Sequence, residues 1–131
     1  MARRPSIANW PTRDRASWEK GVAPGNLFES CGAGAGWSDA SRFKTARGYG
    51  YWLSWLATKG FCDHNLGPAD RVSRERVAAY IAEITPARAP FTVLCRIREL
   101  YDAMRVMAPE ADWDWVAQSQ SASGAITRSA S

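Results

Sequence analysis

The fold of this chain is decided by the stretch Ser38-Asp-Ala-Ser-Arg-Phe-Lys-Thr-Ala-Arg-Gly-Tyr-Gly-Tyr-Trp-Leu-Ser-Trp-Leu-Ala-Thr-Lys-Gly60. A serine at one end and a glycine directly after a lysine at the other are typical helix caps, so the stretch predicts one long helix. With roughly 100° of rotation per residue, one side is apolar and is expected to pack. That arc contains Phe43, Ala46, Tyr49, Gly50, Trp52, Leu53, Leu56 and Ala57. The other side contains Lys44, Arg47, Tyr51, Ser54, Trp55 and Thr58.

The second side of this helix has two interpretations. Cations beside large rings are suited to phosphate contact or to a protein partner. Alternatively, Tyr51 and Trp55 are covered by the N-terminal segment, which brings its own tryptophans, and the cations only face solvent. Both interpretations remain open from the sequence.

Length and composition favour one small folded domain. The 131 residues suffice for a single core, and 46% hydrophobic residues with seven tryptophans are typical of a globule. No apolar run approaches the roughly 20 residues that cross a membrane, so we expect no membrane partner. The net charge of +4, from 17 basic and 13 acidic residues, favours an anionic partner.

The cysteines predict a reducing environment. Cys31, Cys62 and Cys95 are odd in number and lack metal-ligand spacing, and no signal peptide precedes them. We therefore expect reduced thiols in a cytoplasmic protein, with no metal and no cofactor.

Two connections carry residues that resemble functional signals. The glycine run from Cys31 to Gly36 has no preceding strand and no following Gly-Lys-Ser/Thr, so we interpret it as a linker. His64, the only histidine, lies in a turn-rich connection from Phe61 to Arg71 without carboxylate or cysteine partners, so we assign it no role.

Two short helices are predicted on either side of the long one. Thr12 caps the first and Gly21 stops it, with Trp18 as its inward anchor, and we expect this helix to lean on the long helix. Ser73 caps the second, which runs from Arg74 to Ile84.

A third main helix is predicted from Pro90 or Phe91 to Met107, with Pro109 ending it. Arg98 and Arg105 lie on one flank of its apolar arc and Arg96 on the other. The arc itself contains Val93, Leu94, Ile97, Leu100, Tyr101, Met104 and Met107.

The domain boundaries follow from these segments. Residues 1–9 are expected to be a flexible basic arm and residues 118–131 a disordered tail. Residues 10–117 form the domain, which Trp113 and Val116 close at one end.

The pattern from Trp10 to Val116, strongest from Ser38 to Met107, resembles the N-terminal core-binding domain of phage-integrase-type tyrosine recombinases. The resemblance rests on the order and spacing of the segments. They are Ala46-Arg-Gly-Tyr-Gly-Tyr-Trp-Leu-Ser-Trp-Leu-Ala-Thr-Lys-Gly60, Arg71-Val-Ser-Arg-Glu-Arg-Val-Ala-Ala-Tyr-Ile-Ala-Glu-Ile84, Ala89-Pro-Phe-Thr-Val93 and Arg96-Ile-Arg-Glu-Leu100.

This resemblance implies an all-α, SAM-like bundle of four to five helices that forms one half of a clamp around duplex DNA. In such domains the first turns of the long helix and of the third main helix face DNA. On this chain those DNA-binding positions are Ser41, Arg42, Lys44, Thr45, Arg47, Thr92, Arg96 and Arg98. A recombinase catalytic domain or a second copy of the chain are the further partners that it implies.

We expect no catalysis from the chain alone. A recombinase needs a tyrosine nucleophile with arginines, a lysine and histidines around the phosphate, and these belong to a separate catalytic domain. The four tyrosines here all fall within the predicted bundle, and the chain is then a truncated gene product, an excised domain or a free-standing remnant.

The alternative function is a helical interaction or dimerisation module. In that case Tyr51, Trp55 and Trp115 would form an exposed aromatic surface that docks another helical protein or a second copy.

Overall fold

The computed structural model describes residues 6–23 and 34–119, and their regular structure is helical. A 3-10 turn at Ile7–Asn9 precedes the α-helices. These are α1 (Thr12–Val22), α2 (Asp39–Lys59), α3 (Pro68–Arg71), α4 (Arg74–Ile84), α5 (Pro90–Met107) and α6 (residues 114–119). The predicted all-α bundle is therefore confirmed. No helix within the described residues is both long and apolar enough to cross a membrane.

Both caps of the long helix are confirmed. The Ser38 hydroxyl accepts a hydrogen bond from the Ser41 amide at 3.2 Å, and Gly60 adopts a left-handed φ of 77° that ends the helix. The predicted apolar side of α2 was too wide, however. It included Phe43, which is 66% exposed.

Helix α5 is the element against which the others pack. Its backbone lies close to α1, α2, α3 and α4, and its side chains fill the centre of the core. The fully buried centre includes Trp52 and Leu56 of α2, Ile97 and Met104 of α5, and Val116 of α6. The predicted closure of the bundle by Trp113 and Val116 is confirmed, since both are buried.

The expectation that α1 leans on α2 needs correction, because its backbone packs mainly against α5. Gly21 makes this possible: a Cβ there would overlap with the side chain and carbonyl of Val106. Gly21 was also wrong as the helix stop, since α1 continues to Val22. Thr12 is the first helical residue rather than the cap, which is Pro11.

The boundaries of the other segments are mostly as predicted. Helix α4 begins after Ser73 and α5 spans Pro90–Met107. The connection after Gly60 contains the additional short helix α3, which begins with Pro68 at its first position.

The tails differ from the expectation where the structure describes them. Residues 7–9 form the 3-10 turn, with Ile7 packed against the core, and residues 118–119 continue α6. The remaining parts of the predicted arm and tail, and most of the glycine linker, lie outside the described residues.

A buried ionic network ties three helices together. The carboxylate of Asp14 on α1 accepts hydrogen bonds from Arg71 of α3 at 2.9 and 2.7 Å and from the Tyr49 hydroxyl of α2 at 2.5 Å. Both charged side chains are fully buried. The rest of the guanidinium donates to the carbonyls of Asp63 and Leu66 at 3.0 and 2.8 Å. A charged pair can be buried when its hydrogen-bond donors and acceptors all have partners, as they do here.

Replacing Arg71 with Met should lower the free energy of unfolding by about 3–5 kcal/mol, because Asp14 would remain buried without its counter-ion. The double variant Asp14→Leu/Arg71→Met should recover part of this loss, since it leaves no buried charge. Urea denaturation measures both, and a double variant less stable than the single one would contradict this account.

Tyr49 should make the protein sensitive to alkaline pH. Burial and the neighbouring Asp14 raise the pKa of Tyr49 well above its usual value of about 10. Above that pH the unfolded chain loses a proton that the folded protein keeps, so stability should fall by about 1.4 kcal/mol per pH unit for this group. The stability that Tyr49 contributes is complete below pH 10.

The alkaline slope is measured by urea denaturation at several pH values above 10, comparing the natural chain with Tyr49→Phe. The variant should be less stable at neutral pH but should show a shallower decline. Equal slopes for the two proteins would mean that Tyr49 titrates normally.

Candidate nucleic-acid interface

The candidate interface is the groove between α2 and α5, which we call the α2–α5 groove. The two helices approach closely at Gly48, where a Cβ would overlap with the Cβ and carboxylate of Glu99. They run antiparallel, since Lys44 shares a cavity with Arg105, and Tyr51 further along α2 contacts Arg96 near the start of α5. The absence of a side chain at Gly48 therefore brings the polar sides of both helices together.

One end of this groove opens into a cavity of about 320 Å³, which we call the basic cavity. It lies between the first turns of α2 and the second half of α5. Its lining residues are Trp37, Ser41, Lys44, Thr45, Arg98, Glu99, Asp102 and Arg105. The structure thus brings together four of the predicted DNA-binding positions, namely Ser41, Lys44, Thr45 and Arg98.

The charges of the basic cavity leave an excess of cations. Asp102 lies 3.4 Å from the Arg98 guanidinium, and Glu99 pairs with Arg96 at 2.6 Å. Lys44 and Arg105 form no ion pair among the described residues, although Arg105 lies 5.4 Å from the Tyr101 ring centroid. Because both carboxylates already have a partner, these two cations give the cavity its positive character.

Hydroxyl groups complete the polar lining. Thr45 is buried, lines the basic cavity and makes no hydrogen bond with the described residues. Ser41 is exposed and receives a hydrogen bond from the Ser38 hydroxyl at 3.2 Å. Both lie in the first two turns of α2, where the backbone dipoles favour an anion. Cations, hydroxyls and a helix N-terminus are the groups that contact phosphates.

The other predicted positions lie outside this cavity. Arg42 is half-buried and donates hydrogen bonds to the carbonyls of Ala35 and Val22 at 3.0 and 3.5 Å. Its guanidinium therefore binds the backbone of the protein itself. Its place on the apolar side of α2 explains this orientation. Thr92 is half-buried in the first turn of α5.

Arg96 lies further along the groove, whereas Arg47 lines neither cavity. Arg47 is half-buried and lies 5.8 Å from the Phe43 ring centroid, and its Nε finds no hydrogen-bond partner in the described part of the chain. Arg96 lies 4.2 Å from the Tyr51 ring centroid and is mostly buried by that contact and by Glu99.

Sequence reasoning did not select Arg105 and Trp37. Arg105 follows Arg98 by seven residues on a predicted helix, and that spacing places both on one face. Trp37 carried no signal of its own, because its position depends on how the chain enters α2.

Trp55 and Trp115 do not form the exposed aromatic surface that was expected for the alternative function. Trp55 is only 8% exposed and stacks on Trp52, with Tyr80 and Phe61 as further neighbours rather than the N-terminal segment. Trp115 is half-buried and lies 4.9 Å from the guanidinium of Arg74.

Trp55 instead borders a second cavity, of about 280 Å³, which we call the aromatic cavity. It lies beyond Tyr51 along the α2–α5 groove and is closed by α4. Its lining residues are Tyr51, Ser54, Trp55, Thr58, Tyr80, Glu83, Ile84, Ala87, Arg88 and Arg96.

The described histidine and cysteines belong to neither cavity. His64 is exposed, and Cys62 and Cys95 are free thiols, with burial raising the pKa of Cys62. Among residues 6–23 and 34–119, no cluster of His, Cys, Asp and Glu could hold a metal ion.

Comparison with known proteins yields no match, whether to a protein-family model, a curated protein or a solved structure. The resemblance to tyrosine recombinases therefore stays a prediction.

Replacing Gly48 with Ala should lower the free energy of unfolding by about 1–3 kcal/mol, because the added methyl group must push α2 and α5 apart at Glu99. Gly36→Ala is the matched control, since a Cβ there meets nothing within 4 Å, and it should change stability by less than about 0.5 kcal/mol. Urea denaturation compares the two variants. An unchanged free energy of unfolding for Gly48→Ala would show that α2 and α5 leave room for a methyl group at this position.

Proposed function

We propose that this chain is a duplex-DNA-binding module that contacts the phosphate backbone through the α2–α5 groove. The observation that supports this most directly is the convergence of Lys44, Arg98 and Arg105 with two hydroxyl side chains at the N-terminal end of α2. The proposal agrees with the resemblance to the core-binding domain of tyrosine recombinases at the start of the long helix. It differs at α5, which runs antiparallel to α2 and contributes its second half rather than its first turn.

The chemistry of these side chains determines what kind of binding we expect. Lysine and arginine neutralise phosphates and release condensed counter-ions, which makes the affinity strongly dependent on salt. Hydroxyls such as those of Ser41 and Thr45 position the backbone without reading base edges. The module should therefore bind duplexes of different sequence with similar affinity.

The proposed role is binding without catalysis. Strand cleavage would be supplied by a separate recombinase catalytic domain, and a second copy of the chain would occupy the other part of a DNA site. A cytoplasmic location fits this role and the free thiols of Cys62 and Cys95.

A helical interaction module remains the second candidate, on a different surface from the one expected. Phe91 and Leu94, one turn apart on α5, are 75% and 39% exposed, and Phe43 on α2 is also exposed. Size-exclusion chromatography with light scattering tests this candidate, because dimers that form with rising concentration and do not respond to DNA would favour it.

DNA binding is best tested by fluorescence anisotropy with a short labelled duplex across a salt series. Lys44→Gln/Arg105→Gln should weaken binding at least about tenfold at low salt and reduce the slope of log K against log salt by about two. The reason is that two phosphate contacts are lost.

The matched control is Arg15→Gln/Lys20→Gln, which removes the same charge from exposed positions on α1. This control should keep most of the affinity. Equal weakening by both double variants would show a dependence on net charge alone, and no binding by the natural chain at low salt would refute the proposal.

A further inference from the structure

We propose that the aromatic cavity is a separate binding site for a small planar ring that carries one anionic group. This inference does not depend on DNA binding, because it rests on different residues and on a different part of the α2–α5 groove. It concerns Tyr80, Arg88 and the aromatic walls around them.

Tyr80 supplies a polar group to the wall of the aromatic cavity. Tyr80 is only 3% exposed and lines the aromatic cavity, yet its hydroxyl makes no hydrogen bond with the described residues. Its ring packs against both Trp52 and Trp55, with centroids 5.2 and 5.4 Å away, which restricts the orientation of the phenol. A bound acceptor can take the place of solvent at this hydroxyl.

The charges around this hydroxyl favour an anion. Arg96 and Arg88 both lie near it, and Arg96 is neutralised by Glu99 at 2.6 Å. Glu83 also lines the cavity, but it already accepts hydrogen bonds from the Trp55 indole at 2.8 Å and from Lys59 at 2.9 Å.

Arg88 is the cation that remains available. It is exposed at the cavity and has no ion pair among the described residues. A guanidinium binds carboxylates and phosphates through two parallel hydrogen bonds, so both kinds of anion suit it.

The protonation state of Tyr80 agrees with a donor role. Burial raises the pKa of Tyr80, and the positive charges of Arg96 and Arg88 oppose that rise only in part. The phenol therefore keeps its proton at neutral pH and can donate it to an anionic oxygen.

The walls and size of the cavity select the rest of the ligand. Tyr51, Trp55 and Ile84 present rings and aliphatic carbon, which suit a flat apolar body. The volume of about 280 Å³ lies just below the usual range for small-molecule pockets, so a ligand of one or two rings is the size that fits. A free aromatic carboxylate and a nucleotide both meet this description.

Binding can be followed by titrating isotope-labelled protein and recording the indole N–H resonance of Trp55 by NMR. The probes are indole-3-acetate, deoxythymidine monophosphate and the uncharged indole-3-ethanol. We expect at least one anionic probe to shift the Trp55 resonance and to bind at least about tenfold more tightly than indole-3-ethanol. The anion that binds better distinguishes a carboxylate site from a nucleotide site.

Variants test the two groups that define the site. Arg88→Gln, an exposed change that should not disturb folding, should weaken the anionic probe about tenfold and leave indole-3-ethanol unaffected. Tyr80→Phe should weaken it about fivefold because the donor is lost. Lys20→Gln, at an exposed position on α1 outside both cavities, is the control and should bind normally.

Three results would overturn the proposal. They are the absence of a Trp55 shift with both anions, equal affinity for the charged and uncharged probes, and unchanged anion binding by Arg88→Gln. The last result is decisive even if Tyr80→Phe fails to fold.

Discussion

The buried pair of Asp14 and Arg71 is the interaction on which the rest of the structure depends. It joins residues 57 positions apart and fixes α1 and α3 relative to α2, which adds the Tyr49 hydroxyl. Two charges removed from water are tolerated only when every donor and acceptor is satisfied, so this network permits little change in geometry. The position of α1, and with it the covering of one side of the core, follows from that requirement.

The close packing of helices around α5 determines which side chains lie together at the surface. Gly21 lets α1 approach Val106, and Gly48 lets α2 approach Glu99, so the helices meet with little space between them. The same close approach at Gly48 places Lys44 beside Arg98 and Arg105 at one end of the groove, and Tyr51 beside Arg96 further along. Both proposed binding surfaces are therefore consequences of two helices that are close enough to share their polar edges.

The two cavities divide the cations of the groove into different roles. In the basic cavity Lys44 and Arg105 form no ion pair with any residue that the structure describes, which suits an extended polyanion. In the aromatic cavity Arg96 is neutralised by Glu99, and Arg88 stands beside rings and a buried phenol, which suits a compact ligand. The number of arginines in the sequence could not distinguish these roles. The difference depends on which of them forms an ion pair with a carboxylate in the folded protein.

The sequence by itself determined the elements whose signals are local. Caps such as Ser38, Gly60 and Ser73 and the proline at the start of α5 act within a single turn, so α2, α4 and α5 could be predicted with their ends. The ends of α1 were predicted wrongly, at Thr12 and Gly21. Only the tertiary structure decided the burial of Arg71 and Asp14, the use of Arg42 inside the protein and the covering of Trp55. These features depend on contacts between distant segments, and periodicity along one helix does not contain that information. Four positions predicted for DNA meet in one cavity because Gly48 allows it, a requirement that is visible only when the helices are placed together.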